Sequence, residues 1–323
     1  MRDQYNREIE YMRVSVTDRC NMRCLYCMPR GVMKGAHQDI LTYEEILRIC
    51  EAGVLLGIKK YKITGGEPLA RKDCPDFIRR LKSLSGVEQV TLTTNGIFLD
   101  EHLDDLKQSS IDGINISIDS LDEKRYRQIT GTNLSTVKGI IKVLERGVEL
   151  GIKMKVNSVL LKENRSDIIR LASLSQEYPV DVRFIELMPI GEGAFLKGPQ
   201  MDPALNILKE RWPDLQATPE KTGNGPAHYY TSANLQGKIG FIDAISHRFC
   251  DECNRVRLTS LGMLKPCLCY EAGTDLRNLL RAGASTAELT EAMKVCIYGK
   301  PRAHSFQEKE QITEYRRMNE IGG

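Results

Sequence analysis

Six of the ten cysteines fall into two groups whose spacing suits inorganic chemistry. Cys20, Cys24 and Cys27 are spaced C-x3-C-x2-C in one short loop, and Cys250, Cys253 and Cys267 are spaced C-x2-C-x13-C near the other end of the chain. Each group offers three thiolates, whereas a cubane iron–sulfur cluster is normally held by four. A three-cysteine cluster leaves one iron open, and an open iron can bind a substrate. Two such sites imply chemistry rather than electron storage. Structural zinc at the first group would need a fourth nitrogen or sulfur ligand, and only His37, in a polar loop, stands near in sequence. At the second group Cys269 extends the spacing to C-x2-C-x13-C-x-C, close to a zinc ribbon, and His247 is another candidate ligand. Spacing alone leaves zinc and iron–sulfur both open there.

Other residue types gather around these groups. Arg255 and Arg257 are two apart on a predicted strand, so they share one face. Guanidinium pairs on one face read phosphate or carboxylate through paired hydrogen bonds. Gly65-Gly66-Glu67-Pro68 follows a predicted strand, and glycines there let backbone approach a ligand. Thr94-Asn95-Gly96 and Ser117-Ile118-Asp119-Ser120 end two further strands, putting polar side chains on one rim. The net charge is only +3, so an anion site must be a local cluster of cations.

The elements that must position these residues are legible from periodicity. Alternation and β-branched content predict strands over 11–17, 59–64, 87–93, 113–118, 152–160 and 180–186. A helix begins at Thr42, with Glu45 completing a capping box, and closes at Gly57. Another carries Val137, Ile140, Ile141, Leu144 and Val148 on one face. Six strand–helix units require a parallel sheet, because parallel strands need crossovers. The expected fold class is α/β, an incomplete (β/α)6 barrel (residues 1–190) with a C-terminal extension covering its open side (residues 191–323). The extension should hold a helix over 201–212, a hairpin over 228–242, helices over 275–281 and 285–296, and a polar tail ending Gly322-Gly323. Cys50, Cys74 and Cys296 read as buried small hydrophobes. No run reaches the roughly 18 apolar residues of a membrane span, and the charged first ten residues lack a signal-peptide core, so a cytoplasmic location is expected.

Cys20-Asn21-Met22-Arg23-Cys24-Leu25-Tyr26-Cys27 resembles the signature of the radical S-adenosylmethionine (SAM) superfamily. That resemblance implies a [4Fe–4S] cluster on Cys20, Cys24 and Cys27 whose open iron binds SAM. One electron then cleaves SAM to a 5′-deoxyadenosyl radical. Arg13-Val14-Ser15-Val16-Thr17-Asp18-Arg19-Cys20, Lys62-Ile63-Thr64-Gly65-Gly66-Glu67-Pro68, residues 182–189, the second cysteine spacing and the terminal Gly-Gly together resemble the GTP 3′,8-cyclase family of molybdenum cofactor biosynthesis. The family implies hydrogen abstraction from ribose C3′, attack on guanine C8, and (8S)-3′,8-cyclo-7,8-dihydroguanosine 5′-triphosphate as product. It further implies SAM contacts at Tyr26, Gly66, Ser117 and Met188, and GTP contacts at Arg13, Lys62, Thr93, Lys155, Arg255 and Arg257. At position 62 the family often carries Arg, and a single ammonium lacks its two-pronged geometry. A second [4Fe–4S] cluster on Cys250, Cys253 and Cys267, with Cys269 left over, would bind the guanine. The Gly-Gly end would enter the active-site cleft. The implied partners are an electron donor such as flavodoxin or ferredoxin and cyclic pyranopterin monophosphate synthase as consumer of the product. A homodimer is allowed, and neither nucleic acid nor membrane is expected. The competing readings are a radical SAM peptide-modifying enzyme with an auxiliary cluster, and a non-enzymatic zinc or nucleotide-binding protein.

Overall fold

The computed structural model describes residues 1–29, 37–220 and 222–322. Six strands lie side by side in chain order and parallel: β1 (Tyr11–Ser15), β2 (Lys60–Thr64), β3 (Gln89–Thr94), β4 (Gly113–Ser117), β5 (Met154–Leu160) and β6 (Asp181–Glu186). Helices α1 (Tyr43–Leu55), α2 (Cys74–Lys82), α3 (Leu99–Gln108), α4 (Glu123–Thr130), α5 (Val137–Glu149) and α6 (Ile168–Glu177) supply the crossovers. Each strand lies within two residues of its expected bounds. The capping box at the start of α1 is formed by Thr42 and Glu45, and Gly57 takes the left-handed φ of 84° that closes such a helix. This part is the expected partial barrel.

The remaining strands are β7 (Gln216–Thr218), β8 (His228–Thr231), β9 (Ile239–Ile242), β10 (Arg255–Leu258), β11 (Met263–Lys265) and β12 (Thr274–Asp275). They join both edges of the same sheet. Among the described residues its order is β12-β11-β10-β1-β2-β3-β4-β5-β6-β9-β8-β7. β10 pairs parallel with β1, and β9 pairs parallel with β6. Helix α7 (Met201–Arg211) packs on α6, and α8 (Leu276–Arg281) and α9 (Thr286–Tyr298) pack on α1. The buried Glu186 carboxylate at the end of β6 accepts from the amides of Ile245 (2.9 Å), Ser246 (2.9 Å) and Met201 (3.1 Å), pinning the extension there.

The alternation along the strands divides the protein into an apolar shell and a polar interior. Met12, Val14, Tyr61, Ile63, Val156, Val182 and Phe184 are buried in the core between sheet and helices. Their alternate neighbours, Arg13, Lys62, Thr93, Asn157 and Arg183, line a cavity. Cys50, Cys74 and Cys296 are buried in the shell, as expected. The tail differs from its polar reading. Ile312 and Ile321 enter a second apolar cluster with Ile190, Leu268, Cys269 and Phe306. Among the described residues no helix is long and apolar enough to cross a membrane.

Candidate active site between two cysteine groups

The first cysteine loop leaves the C-terminal end of β1 and is fixed by backbone contacts. The amides of Arg23 and Leu25 donate to Thr130 O (2.7 Å) and Ile129 O (2.9 Å), and Cys27 N donates to Cys24 O (3.0 Å). Behind it, Gly66 N donates to Thr17 O and Glu67 N to Arg19 O, both at 2.7 Å. A Cβ on Gly66 would lie 2.3 Å from Arg19 O, so only glycine fits. Gly66 thus packs beneath the loop rather than on the cavity wall. Burial raises the Cys20 and Cys24 thiols and pushes Cys27 up to about 12. Cys24 also feels Cys27 and Cys20, so the three sulfurs share one locale. Metal binding must displace those protons. Asn95 Nδ2 donates to Asn21 Oδ1 (2.7 Å) and faces Cys20 Sγ at 3.8 Å.

Beside this loop, Tyr26 OH donates to Asp119 Oδ2 at 2.8 Å, and Val159 N donates to the other oxygen, also at 2.8 Å. Burial raises Asp119 to about 6. Glu67 is buried deeper and raised to about 7, while accepting from Thr94 Oγ1, Asn95 N and Leu69 N. The SAM residues expected from the sequence, Tyr26, Ser117 and Met188, border a cavity of ≈ 200 Å³.

That cavity holds the cations. Arg13, Lys62, Thr93, Arg255 and Arg257 all line it, with Arg183 among them. In register, Arg257 on β10 is opposite Arg13 on β1, which is opposite Lys62 on β2. Three like charges therefore stand in one row on adjacent strands, an arrangement that destabilises a sheet by itself. Desolvation depresses Lys62 well below its usual range, and the charges adding to that shift, Arg183, Arg13, Lys155 and Arg255, are all positive. Arg257 is lowered to about 9 by burial, then by Arg13 and Arg255. Arg255 Nε is buried without a hydrogen-bond partner among the described residues. A polyanion would relieve all of this. Lys155 stands apart below the cavity, where its ammonium binds Thr222 O (2.9 Å) and Asp181 Oδ2 (2.8 Å).

The second cysteine group opens onto an adjoining cavity of ≈ 130 Å³, which shares Arg13, Met188, Arg255 and Arg257 with the first. Cys250, Cys253 and Cys267 all line it. Cys269 does not. It is buried in the second apolar cluster, and burial raises its thiol to about 11. His247, the other candidate ligand, sits 2.8 Å from Asp243 through Nδ1. Burial alone would raise Cys253, but Lys300 and Arg255 bring it down to about 7, a thiol ready to ligate. Among the described residues no three His, Cys, Asp or Glu side chains gather as a single ion needs. A cubane cluster binds each thiolate at a different iron and so suits a wider triangle. The side chain of His37 lies outside the described residues.

The tail reaches the same space. Met318 lines the larger cavity, Asn319 Nδ2 donates to Asp18 O (3.0 Å), and Arg257 Nη1 donates to Gly322 O (3.1 Å). Gly323 lies outside the described residues. Two contributors escaped the sequence reading, Arg183, whose Nε donates to Asn157 Oδ1 (2.9 Å), and Lys300, while Asp119 was placed on the rim without a role. Arg183 carried a usable signal, a charge alternating with Val182 and Phe184 on a buried strand.

Comparison with known proteins agrees with this geometry. The Radical SAM superfamily model matches residues 14–174, and the Molybdenum Cofactor Synthesis C model matches residues 180–306. A GTP 3′,8-cyclase of Clostridium perfringens is 42% identical over 325 residues, covering 100% of both chains. One from Desulforamulus reducens is 40% identical over 332 residues, again covering 100% of both. In fold alone, the chain resembles Streptococcus suis SuiB bound to S-adenosylmethionine (TM-score 0.63, 14% identity, 97% of this chain and 77% of that one). Identity of this order along the whole of both chains, carried through both family models, means that the chain belongs to the GTP 3′,8-cyclase family of the radical SAM superfamily.

Proposed function

We propose that this enzyme converts GTP to (8S)-3′,8-cyclo-7,8-dihydroguanosine 5′-triphosphate for molybdenum cofactor synthesis, with the triphosphate on the Arg257–Arg13–Lys62 row. That row is the observation that carries the reading. Three adjacent cations beside two thiolate sites suit a nucleoside triphosphate, whose run of negative charge a peptide backbone does not offer. Tyr26, Ser117 and Met188 would border SAM, and Gly66 would shape its site by bringing the second strand's end against the cysteine loop. Thr93, Arg255 and Arg183 would orient the nucleotide. Lys155 would act at the far end of the phosphate chain. Cys250, Cys253 and Cys267 would hold a second [4Fe–4S] cluster facing the guanine.

Held by Cys20, Cys24 and Cys27, the first cluster with SAM would supply radical chemistry for hydrogen abstraction at C3′, and an electron and a proton would complete the attack on C8. The residues' task is orientation and exclusion of water. Asp119 holds the Tyr26 hydroxyl, and the tail through Met318 and Gly322 closes the side facing the cysteine loop. A flavodoxin- or ferredoxin-class donor would provide the electrons, and cyclic pyranopterin monophosphate synthase would take the product.

The test is anaerobic reconstitution with GTP, SAM and dithionite. GTP should stimulate formation of 5′-deoxyadenosine and yield the cyclised triphosphate. Cys267→Ala should keep the iron of the first site, lose that of the second, and lose cyclisation. Full cyclisation by that variant would contradict the role given to the second site.

A further inference from the structure

Lys300 lies on the turn after α9, 45 residues from Arg255, and has no part in the substrate reading. It is nonetheless 2% exposed and lines the second cavity. Its ammonium donates to Arg255 O at 2.9 Å and to Pro266 O, and its charge helps lower the Cys253 thiol. Arg255 is two residues from Cys253, and Pro266 precedes Cys267. One cation therefore ties together the two chain segments that must present the thiolates. Arg7 does the same for the third: its Nη1 donates to Cys250 O (2.8 Å) and Arg302 O (2.8 Å), and its Nε pairs with Asp3 at 2.7 Å.

The two cations differ in one respect. Arg7 has a carboxylate beside it, whereas Lys300 has none among the described residues. A buried charge without a counter-ion is costly. Two neutral carbonyls solvate an ammonium but do not neutralise it. Lys300 shares its cavity with Cys250, Cys253 and Cys267, whose thiolates would supply negative charge when a cluster is bound.

We propose that Lys300 is a positioning and tuning residue of the second cysteine site, with the iron–sulfur cluster there as its counter-ion. The proposal rests on the reading of that site as a cluster. A fixed positive charge beside a ligating sulfur favours the more negative, reduced state, so Lys300 holds the reduction potential of this cluster up. It leaves the first site untouched.

The experiment uses the full-length chain with Cys20, Cys24 and Cys27 replaced by serine, so that the second site alone carries iron. Absence of iron and sulfide in this parent would refute the second-cluster reading itself. With the cluster present, Lys300→Met keeps the stem and removes the charge. The expected result is retained iron and a reduction potential, followed by EPR during a redox titration, shifted to more negative values. Lys300→Arg should restore the parent potential. An unchanged potential in Lys300→Met with full iron content overturns the proposal. Should Lys300→Met lose the cluster, Lys300→Arg decides: recovery of iron at the parent potential supports the charge, and loss in both variants overturns it.

Discussion

Lys62→Met tests the claim that the folded enzyme stores repulsion which its substrate relieves. Arg257, Arg13 and Lys62 share one register row on β10, β1 and β2. Adjacent strands lie about 4.8 Å apart, and long side chains let the charged heads splay to about 7 Å. At an effective dielectric of about 20, each neighbouring pair then repels by roughly 2 kcal/mol. Water in an open cavity about halves that, so removing the Lys62 charge should stabilise the ligand-free protein by about 1 kcal/mol. For a chain of this size that is a rise of about 2 °C in Tm. Methionine keeps the unbranched stem and so isolates the charge.

The same change should weaken GTP binding. A charge-assisted contact to phosphate is worth about 1.5–3 kcal/mol, or about 10- to 150-fold in Kd. Stability and affinity therefore move in opposite directions, which a packing defect would not produce. The pH dependence adds a second check. Because Lys62 is lowered from 10.5, the folded chain binds fewer protons there than the unfolded chain between the lowered value and 10.5. Wild-type stability then gains with rising pH across that window, and the advantage of Lys62→Met shrinks toward pH 10.5. A bound triphosphate raises Lys62 again, so GTP binding should take up protons, measurable by calorimetry in buffers of different ionisation enthalpy. Undiminished GTP affinity in Lys62→Met, or a ligand-free variant no more stable than wild type, would refute the reasoning.

Gly66→Ala forces a methyl to 2.3 Å from Arg19 O and should displace the first cysteine loop, seen as iron lost from the first site while the second keeps its own. Lys265 and Glu314 form a fully buried ion pair between β11 and the tail. Arg316 also holds the Glu314 carboxylate, through Nε at 3.0 Å and Nη2 at 3.1 Å, so Lys265→Met should cost only about 1.5–3 kcal/mol in chemical denaturation, the loss of one charged hydrogen bond. Cys269→Ala removes a buried sulfur from the second apolar cluster. It should cost about 1 kcal/mol of stability and leave the iron content of the second site unchanged, whereas loss of iron would make Cys269 a ligand.

Local signals made much of this architecture readable. Thr42 with Glu45 and Ser285 with Glu288 announce helix starts that both form as capping boxes, because a cap is decided by four neighbouring residues. The six parallel strands follow from alternation, which any half-buried strand must show. The first cysteine loop was legible because its ligand spacing lies within one turn of chain, whereas Cys267 stands a whole β10–β11 hairpin beyond Cys253. What escaped depends on contacts between distant segments. Nothing local says that β10 inserts beside β1, some 240 residues earlier in the chain, and this pairing carries Arg255 and Arg257 into the interior. The polar tail gave no warning that Ile321 would be buried, since a lone isoleucine beside glycines has no periodicity. Lys155 read as one more phosphate ligand. Its bonds to Thr222 O and Asp181 show a cation that also holds the floor of the barrel shut.

The polar interior explains why the extension continues the sheet instead of capping it. A closed eight-stranded barrel fills its centre with branched apolar side chains. Here the inward positions carry arginine, lysine, threonine and asparagine, so the centre contributes little hydrophobic stabilisation. The shell between sheet and helices must supply it, and there Met12, Val14, Tyr61, Ile63 and Phe184 are fully buried. Six strands alone would leave the backbone of β1 and β6 unpaired at the two edges of an open, polar trough. Pairing β10 with β1 and β9 with β6 satisfies both edges with backbone hydrogen bonds. Because β10 enters parallel and in register, its alternation adds Arg255 and Arg257 to the interior and Val256 and Leu258 to the shell. The strand that completes the sheet therefore also completes the cation row, and the loop before it and the one after its hairpin partner β11 carry the second cysteine group. Edge pairing, phosphate recognition and the second thiolate site are consequences of one insertion, so a change that loosens β10 should disturb all three together.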